Sequence, residues 1–304
     1  MRIAVMAAGA LGGYFGARMA AAGHDVFFIA RGSNLEAIRK NGLKVESVLG
    51  NLHLPEPNVT DDPAAVGPVD IVLFAVKLWD SETAARLSLP LVGPGTRVIP
   101  LQNGVDSAER IAPILGADNV VAGSAYIATV LSAPGVVTHT SQFARMVCGR
   151  TDGKPDEGLK AFADAAQAAG IDISVSDGID RERWQKFVFL VGLSGATATT
   201  RQPLGADPGR PGYASVLLQP DERGGRGRPC QGRSDSGEFC RGQNEIRRNL
   251  ATHLQGFHAA RSRTRQPART RLARRKGGGV RPPAWHSDAS QQCGLCHAQA
   301  AQDG

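Results

Sequence analysis

Residues 1–17, MRIAVMAAGALGGYFGA, decide how the rest of the chain is read. Arg2–Met6 alternates and then runs apolar, as a buried strand does, before the chain turns through small residues. Tyr14-Phe15-Gly16-Ala17-Arg18-Met19-Ala20 continues with helical character. A strand, a tight glycine-containing turn and a helix opening make a phosphate cradle. Backbone N–H groups at the helix start face a pyrophosphate, and small residues let the backbone come close. The spacing follows G-x-G-x-x-G, with Ala7, Gly9 and Gly12 in the three glycine positions and Ala8, Ala10 and Leu11 between them. Ala7 is a mild departure provided its φ stays below zero.

Working outward, Ala22-Gly23-His24 ends the first helix, and Asp25–Ala30 reads as a second strand. Arg31 follows it, at the distance from the glycine turn where this fold places the residue that reads the adenosine ribose. An acidic residue there suits the 2′-hydroxyl of NAD. Arginine suits the 2′-phosphate, so the sequence points to NADPH, the alternative being an arginine on an exposed turn. Ser33-Asn34-Leu35-Glu36 fits a capping box opening the next helix. A polar, proline-containing stretch runs through Pro63, and Asp70–Lys77 then reads as a central parallel strand ending in Lys77. Lys77 either reaches the adenosine phosphate or is simply solvated. Arg97–Leu101 is the next strand, closed by Gln102-Asn103-Gly104. The Asn103 amide can hold a substrate carboxylate or hydroxyl, or it can be an ordinary Asn-Gly turn.

Further strands are expected at Val120–Thr129, Gly135–His139, Ala144–Cys148 and Ile171–Val175, with a helix over Asp156–Ala169. A first domain over residues 1–177 follows. From Ile179 the chain reads IDRERWQKFVFLVGLSGATATT, and Phe187–Thr200 carries no charge, which predicts a helix buried over most of its circumference. Lys186 stands where the charged turns give way to the apolar body. It is either snorkelling at a domain edge or aimed into a cleft.

The chain is 304 residues long with a formal charge of +7, and the charge is uneven. Residues 1–205 hold 18 Lys+Arg against 20 Asp+Glu, whereas residues 206–304 hold 17 against 8. The basic balance therefore belongs to the tail and not to the first domain. No apolar run approaches the ~18 residues of a membrane span, and the N-terminus enters a strand without a cleavable segment, so a cytoplasmic location is expected. Five cysteines are too sparse for a secreted disulfide framework.

These landmarks in this order resemble the ketopantoate reductase (2-dehydropantoate 2-reductase) family. The resemblance rests on MRIAVMAAGALGGYFGARMAAAGHDV, Arg31-Gly32, Ala75-Val76-Lys77, Gln102-Asn103-Gly104, and Trp184-Gln185-Lys186 before an apolar helix, and it covers about residues 1–205. It implies an N-terminal Rossmann-type parallel sheet (an α/β domain) and a C-terminal all-helical domain beginning at residue 178, with the site between them. It further implies NADPH-dependent reduction of a small 2-keto acid, 2-dehydropantoate to pantoate, on the route to pantothenate and coenzyme A. Under the resemblance Lys186 is the catalytic lysine, Asn103 touches nicotinamide and substrate, and Arg31 and Lys77 lie near the adenosine phosphate. Hydride addition to a keto carbon leaves charge on oxygen, and an ammonium with a reference pKa of ~10.4 can stabilise that charge and donate the proton. Where well-known members carry two substrate-holding asparagines, this chain has Leu190 and Ser194. Ser194 can still donate a hydrogen bond and Leu190 cannot, so a related 2-keto acid is an alternative substrate.

Residues 206–304 do not continue the pattern. They are rich in Arg, Gly and Pro, lack the periodicity of a core-forming helix, and contain no Glu after Glu245. A nucleic-acid arm is one reading of such composition, and a shifted reading frame of a GC-rich gene is the favoured one. Arg261–Lys276 can be encoded so that reading one base later gives Asp-Leu-Glu-Arg-Gly-Asn-Arg-Leu-Glu-Leu-Asp-Trp-Leu-Ala-Gly, an amphipathic helix resembling the family's glutamate-bearing segment. The helical domain is then cut to little beyond residue 205. The chain is expected to keep its cofactor half-site and to be a poor reductase or an inactive NADP-binding protein. Cys293-Gly294-Leu295-Cys296-His297 has haem-attachment spacing by coincidence, and Cys230 and Cys240 form no metal pattern.

Overall fold

The computed structural model describes residues 1–201. The expectations for the tail, and for residues 202–205, lie outside the described residues. In chain order the elements are β1 (Arg2–Met6), α1 (Ala10–Ala21), β2 (Asp25–Ile29), α2 (Gly32–Asn41), β3 (Leu43–Ser47), β4 (Leu52–Leu54), β5 (Asn58–Thr60) and β6 (Ile71–Phe74). There follow α3 (Ser81–Leu87), β7 (Arg97–Pro100), α4 (Ser107–Leu115), β8 (Ala122–Ala133), β9 (Val136–Gly149), α5 (Glu157–Ala168), β10 (Asp172–Val175) and α6 (Ile179–Thr200).

Strands β1 and β6 are apolar on both faces and buried, as the centre of a parallel sheet covered on two sides must be. The sheet runs β5-β2-β1-β6-β7, all parallel, with Met6 level with Ile29 on one side and Phe74 on the other. The chain reverses its direction of winding between β1 and β6, and the crevice at the carboxyl ends of these strands is where such sheets bind ligands. This is the α/β architecture expected of the N-terminal part.

A second sheet, β10-β9-β3-β4 with β8 paired to β9, packs on the other side of α1. Its strands β8, β9 and β10 fall on expected strands, but β3 and β4, like β5 of the first sheet, lie in the stretch through Pro63 that reads as polar. The alternation of Leu43 and Val45 was the available signal, and both side chains are buried. The strands expected at Gly135–His139 and Ala144–Cys148 are one continuous β9, joined to β8 by a turn with Gly135 at φ +75°. The helix expected over Asp156–Ala169 is α5, where Asp156 caps the first turn by accepting from the Leu159 amide at 3.0 Å.

Three local expectations are corrected. The strand ending in Lys77 stops at Phe74, and Lys77 instead precedes a short helical turn over residues 78–80. The capping box at Ser33 does not form. α2 begins at Gly32, so Ser33 already lies inside it, and no side chain caps its start. Helix α6 is not enclosed all round: Trp184, Val188 and Val191 are 55%, 61% and 54% exposed. These three lie at i, i+4 and i+7 on one stripe, while the helix packs against β8 and β9 and reaches α4 through Arg183 and Glu109.

Candidate functional site

The cradle is built by three backbone hydrogen bonds. The Ala8 amide donates to the Ile29 carbonyl at 2.8 Å, the Ala75 amide to Met6 at 2.9 Å, and the Gly13 amide to Gly9 at 2.8 Å. The last opens α1, leaving the amides of Ala10, Leu11 and Gly12 without a carbonyl partner among the described residues, which is the usual state of a helix start. A Cβ at Gly12 would fall on the Ala7 carbonyl and within 2.7 Å of Val5 Cγ1, so only glycine lets the helix lie this close to β1. A Cβ at Gly9 would meet nothing within 4 Å, because Gly9 faces open space. The small-residue turn thus leaves room for a phosphate group to approach its backbone. Ala7 departs from expectation, for it sits at φ +77°. The position demands a left-handed backbone, and alanine holds it at a cost glycine would not incur.

A cleft of about 300 Å³ extends from this turn. Ala7, Ala8, Gly9 and Arg31 line it, as do Asn34, Asp61 and Asp80. Asn34 explains part of the geometry. Its Nδ2 donates to the Ala8 carbonyl at 2.8 Å, and its Oδ1 accepts from the Gly135 amide at 2.8 Å, tying the cradle to the β8–β9 turn. Lys77 and Asn103 are exposed at the ends of neighbouring strands and do not line the cleft.

The second group of candidate residues gathers where α6 meets β8. Lys186 Nζ donates to the Ala125 carbonyl at 2.6 Å and lies 5.5 Å from the Tyr126 ring centroid. Burial pushes its pKa down to about 8, and no anion among the described residues raises it again. At pH 7 the ammonium form still predominates. Tyr126, half-buried beside Glu182, is shifted the other way. One turn before Lys186, Arg183 is 3% exposed. It donates to the Val105 carbonyl, to Glu109 at 3.1 Å and to Asp180 at 2.8 Å. Val105 is two residues beyond Asn103, so one guanidinium joins the loop bearing Asn103 to the helix bearing Lys186. Ser194 is exposed two turns further along α6, and Leu190 between them is half-buried.

Sequence reasoning singled out Lys186 as a candidate but not Arg183, Asn34 or Asp61. Arg183 stood among the charged first turns of a helix, and nothing in its spacing set it apart from its neighbours. Asn34 and Asp61 acquire a role only through contacts distant in sequence. Among the described residues no group of His, Cys, Asp and Glu is placed to hold a metal ion. No described helix is long and apolar enough to cross a membrane.

The family model for ketopantoate reductase PanE/ApbA matches residues 3–153. A 2-dehydropantoate 2-reductase of Halobacterium salinarum is 32% identical over 199 residues, covering 65% of each chain. The crystal structure of 2-dehydropantoate 2-reductase from Porphyromonas gingivalis aligns with TM-score 0.63 at 35% identity, covering 67% of this chain and 73% of that one. A ternary structure of D-mandelate dehydrogenase with NADH and anilino(oxo)acetate shares the fold, with TM-score 0.61 at 21% identity over 66% and 65% of the two chains. The chain spans about two thirds of the length of the curated relatives it matches. On these matches the chain belongs to the ketopantoate reductase family of oxidoreductases.

Proposed function

We propose that the chain is built to reduce a small 2-keto acid with NADPH, and that the substrate is 2-dehydropantoate, giving (R)-pantoate for pantothenate and coenzyme A synthesis in the cytoplasm. The observation that carries this reading is the Lys186 ammonium, partly desolvated on a helix that Arg183 ties to the Asn103 loop. Residues 1–177 form the cofactor half of the molecule, and the helix from 178 begins the substrate half. The cradle at Ala7–Gly12 would hold the pyrophosphate and Arg31 the 2′-phosphate, while Lys77, exposed just outside the cleft, would reach toward the adenosine phosphate. A nicotinamide held there would supply the hydride for the keto carbon. Lys186 leaves the Ala125 carbonyl, stabilises the charge on the substrate oxygen and gives it a proton, which completes the alcohol. Asn103 orients the nicotinamide and the substrate, and the Ser194 hydroxyl is a further donor.

Leu190 and Ser194 favour a second reading, a different 2-keto acid. Leu190 offers an apolar surface where a hydrogen-bonding amide would otherwise stand, which suits a bulkier or less hydroxylated substrate. Absorbance at 340 nm, followed with 2-dehydropantoate and a panel of 2-keto acids, separates the two. The proposal expects turnover that Lys186→Ala lowers by about 10²- to 10⁴-fold while NADPH still binds. Unchanged turnover in that variant would remove Lys186 from the mechanism. NADPH binding with no turnover of any 2-keto acid would leave an inactive NADP-binding protein.

A further inference from the structure

The adenosine end of the cleft holds a second charge, of opposite sign to Arg31. β5 runs parallel to β2 with Thr60 level with Ile29, and the Ala30 amide donates to the Thr60 carbonyl at 3.0 Å. Continuing that register places Asp61 beside Ala30, next to Arg31, and both Arg31 and Asp61 line the cleft. The Arg31 guanidinium is exposed and has no ion pair or hydrogen bond among the described residues, so it is available to a ligand. Asp61 is held 3.6 Å from Arg39 Nη2 on α2, with more than half of its side chain exposed.

A dinucleotide fold that reads a ribose diol does so with a carboxylate near this point, and one that reads a 2′-phosphate does so with a guanidinium. This chain presents both, on neighbouring strand ends. We infer that Asp61 sets the nucleotide preference of the cleft: it accepts hydrogen bonds from the ribose hydroxyls of NADH, and it opposes the 2′-phosphate that Arg31 attracts. The cleft then takes both nucleotides, with a narrower preference for NADPH than Arg31 alone would give. The inference rests on the proposed nucleotide site.

The test is the pair of dissociation constants for NADPH and NADH, measured by nucleotide fluorescence on the full chain without substrate. Asp61 is exposed and Asn is isosteric, so Asp61→Asn should fold normally. The variant should bind NADPH more tightly and NADH more weakly, each by about two- to fivefold, the size of a partly exposed charge contact. Arg31→Ala should move the ratio the opposite way, by weakening NADPH alone. An unchanged ratio in Asp61→Asn, or a ratio that moves in Asp80→Asn instead, overturns the assignment to Asp61. Failure of the unmodified chain to bind either nucleotide would overturn the nucleotide site itself.

Discussion

Arg183 donates to the carbonyl oxygen of Val105 from a position almost wholly shielded from water. A bond from a buried guanidinium to a loop carbonyl fixes where that loop can lie. Here the loop carries Asn103, and the helix turn that supplies the guanidinium is followed one turn later by Lys186.

Replacing Arg183 therefore separates two candidate residues without touching either. Arg183→Ala should cost about 1–3 kcal/mol of stability, the size of losing buried charge-assisted hydrogen bonds, read as a lower urea midpoint. Arg183→Lys keeps the charge but loses the planar fork that serves three partners at once. It should fold, bind NADPH as before and lose about 10- to 100-fold in kcat/KM, the scale of a misplaced reacting group. Full activity in Arg183→Lys would show that the loop is held by other contacts.

The pKa of Lys186 makes a statement about pH. In the proposed reaction its ammonium is the form that would donate the proton, and burial brings the titration down to about 8. The reduction rate should be level below pH 7 and fall about tenfold per pH unit well above 8. The stability consequence has the opposite sense. The unfolded chain holds this proton up to the ordinary lysine range and the folded chain releases it near 8. Stability should therefore rise with pH across that window. A rate profile flat to pH 10 would contradict the assignment.

Ala7 and Gly12 should respond oppositely to exchange. At φ +77°, Ala7→Gly removes a steric penalty of about 1–2 kcal/mol but adds freedom to the unfolded chain, for a net gain of up to about 1 kcal/mol. Gly12→Ala places a methyl on the Ala7 carbonyl and should cost about 1–3 kcal/mol. Chemical denaturation of the two variants measures both. A loss of stability in Ala7→Gly would show that the alanine methyl makes contacts worth more than the strain.

His139 is buried against the Tyr14 ring, 4.7 Å between centroids. Its Nε2 lies 2.8 Å from Ser141 Oγ and 3.1 Å from the Phe143 carbonyl, and its Nδ1 lies 2.8 Å from Ser47 Oγ. A neutral ring with the proton on Nε2 satisfies all three. Burial, the larger cause, and the positive charge of Arg18 lower its pKa, outweighing the bond to Phe143. The unfolded state takes up the proton first on acidification, so the His139 contribution to stability is lost as the pH falls through about 6.5 and below. The urea midpoint should drop between pH 7.5 and 5.5, and the drop should be smaller in His139→Gln. An equal drop in that variant would place the acid sensitivity elsewhere.

The parts of the fold that could be read beforehand are those whose reason is local. The strands around β1 are continuous apolar runs ended by turn residues, and α1 follows a glycine pattern with a steric cause. The left-handed backbone at Ala7 was not legible, because alanine gives no hint that its position is one glycine would fill. β4 and β5 span three residues each, too few to display a period. The composition of α6 showed that it is apolar but could not say which face meets β8. Among the candidate site residues, Arg31 and Lys186 could be proposed from position along the chain. Asp61 could not, since its neighbour Arg31 is thirty residues away and adjacent only through the β2–β5 register.

Helix α1 lies between the two sheets, and small residues face both of them. Gly12 and Gly16 fit against Val5 on β1, while Gly13 meets Val137 on β9. The helix is in effect a party wall, shaved thin so that the rooms on either side can share it. A methyl group at Gly12, Gly13 or Gly16 would push into Val5, Val137 or Phe28, so these three positions tolerate no added bulk without a shift of the neighbouring strands. A ligand clasped by its first turn would brace two sheets rather than one.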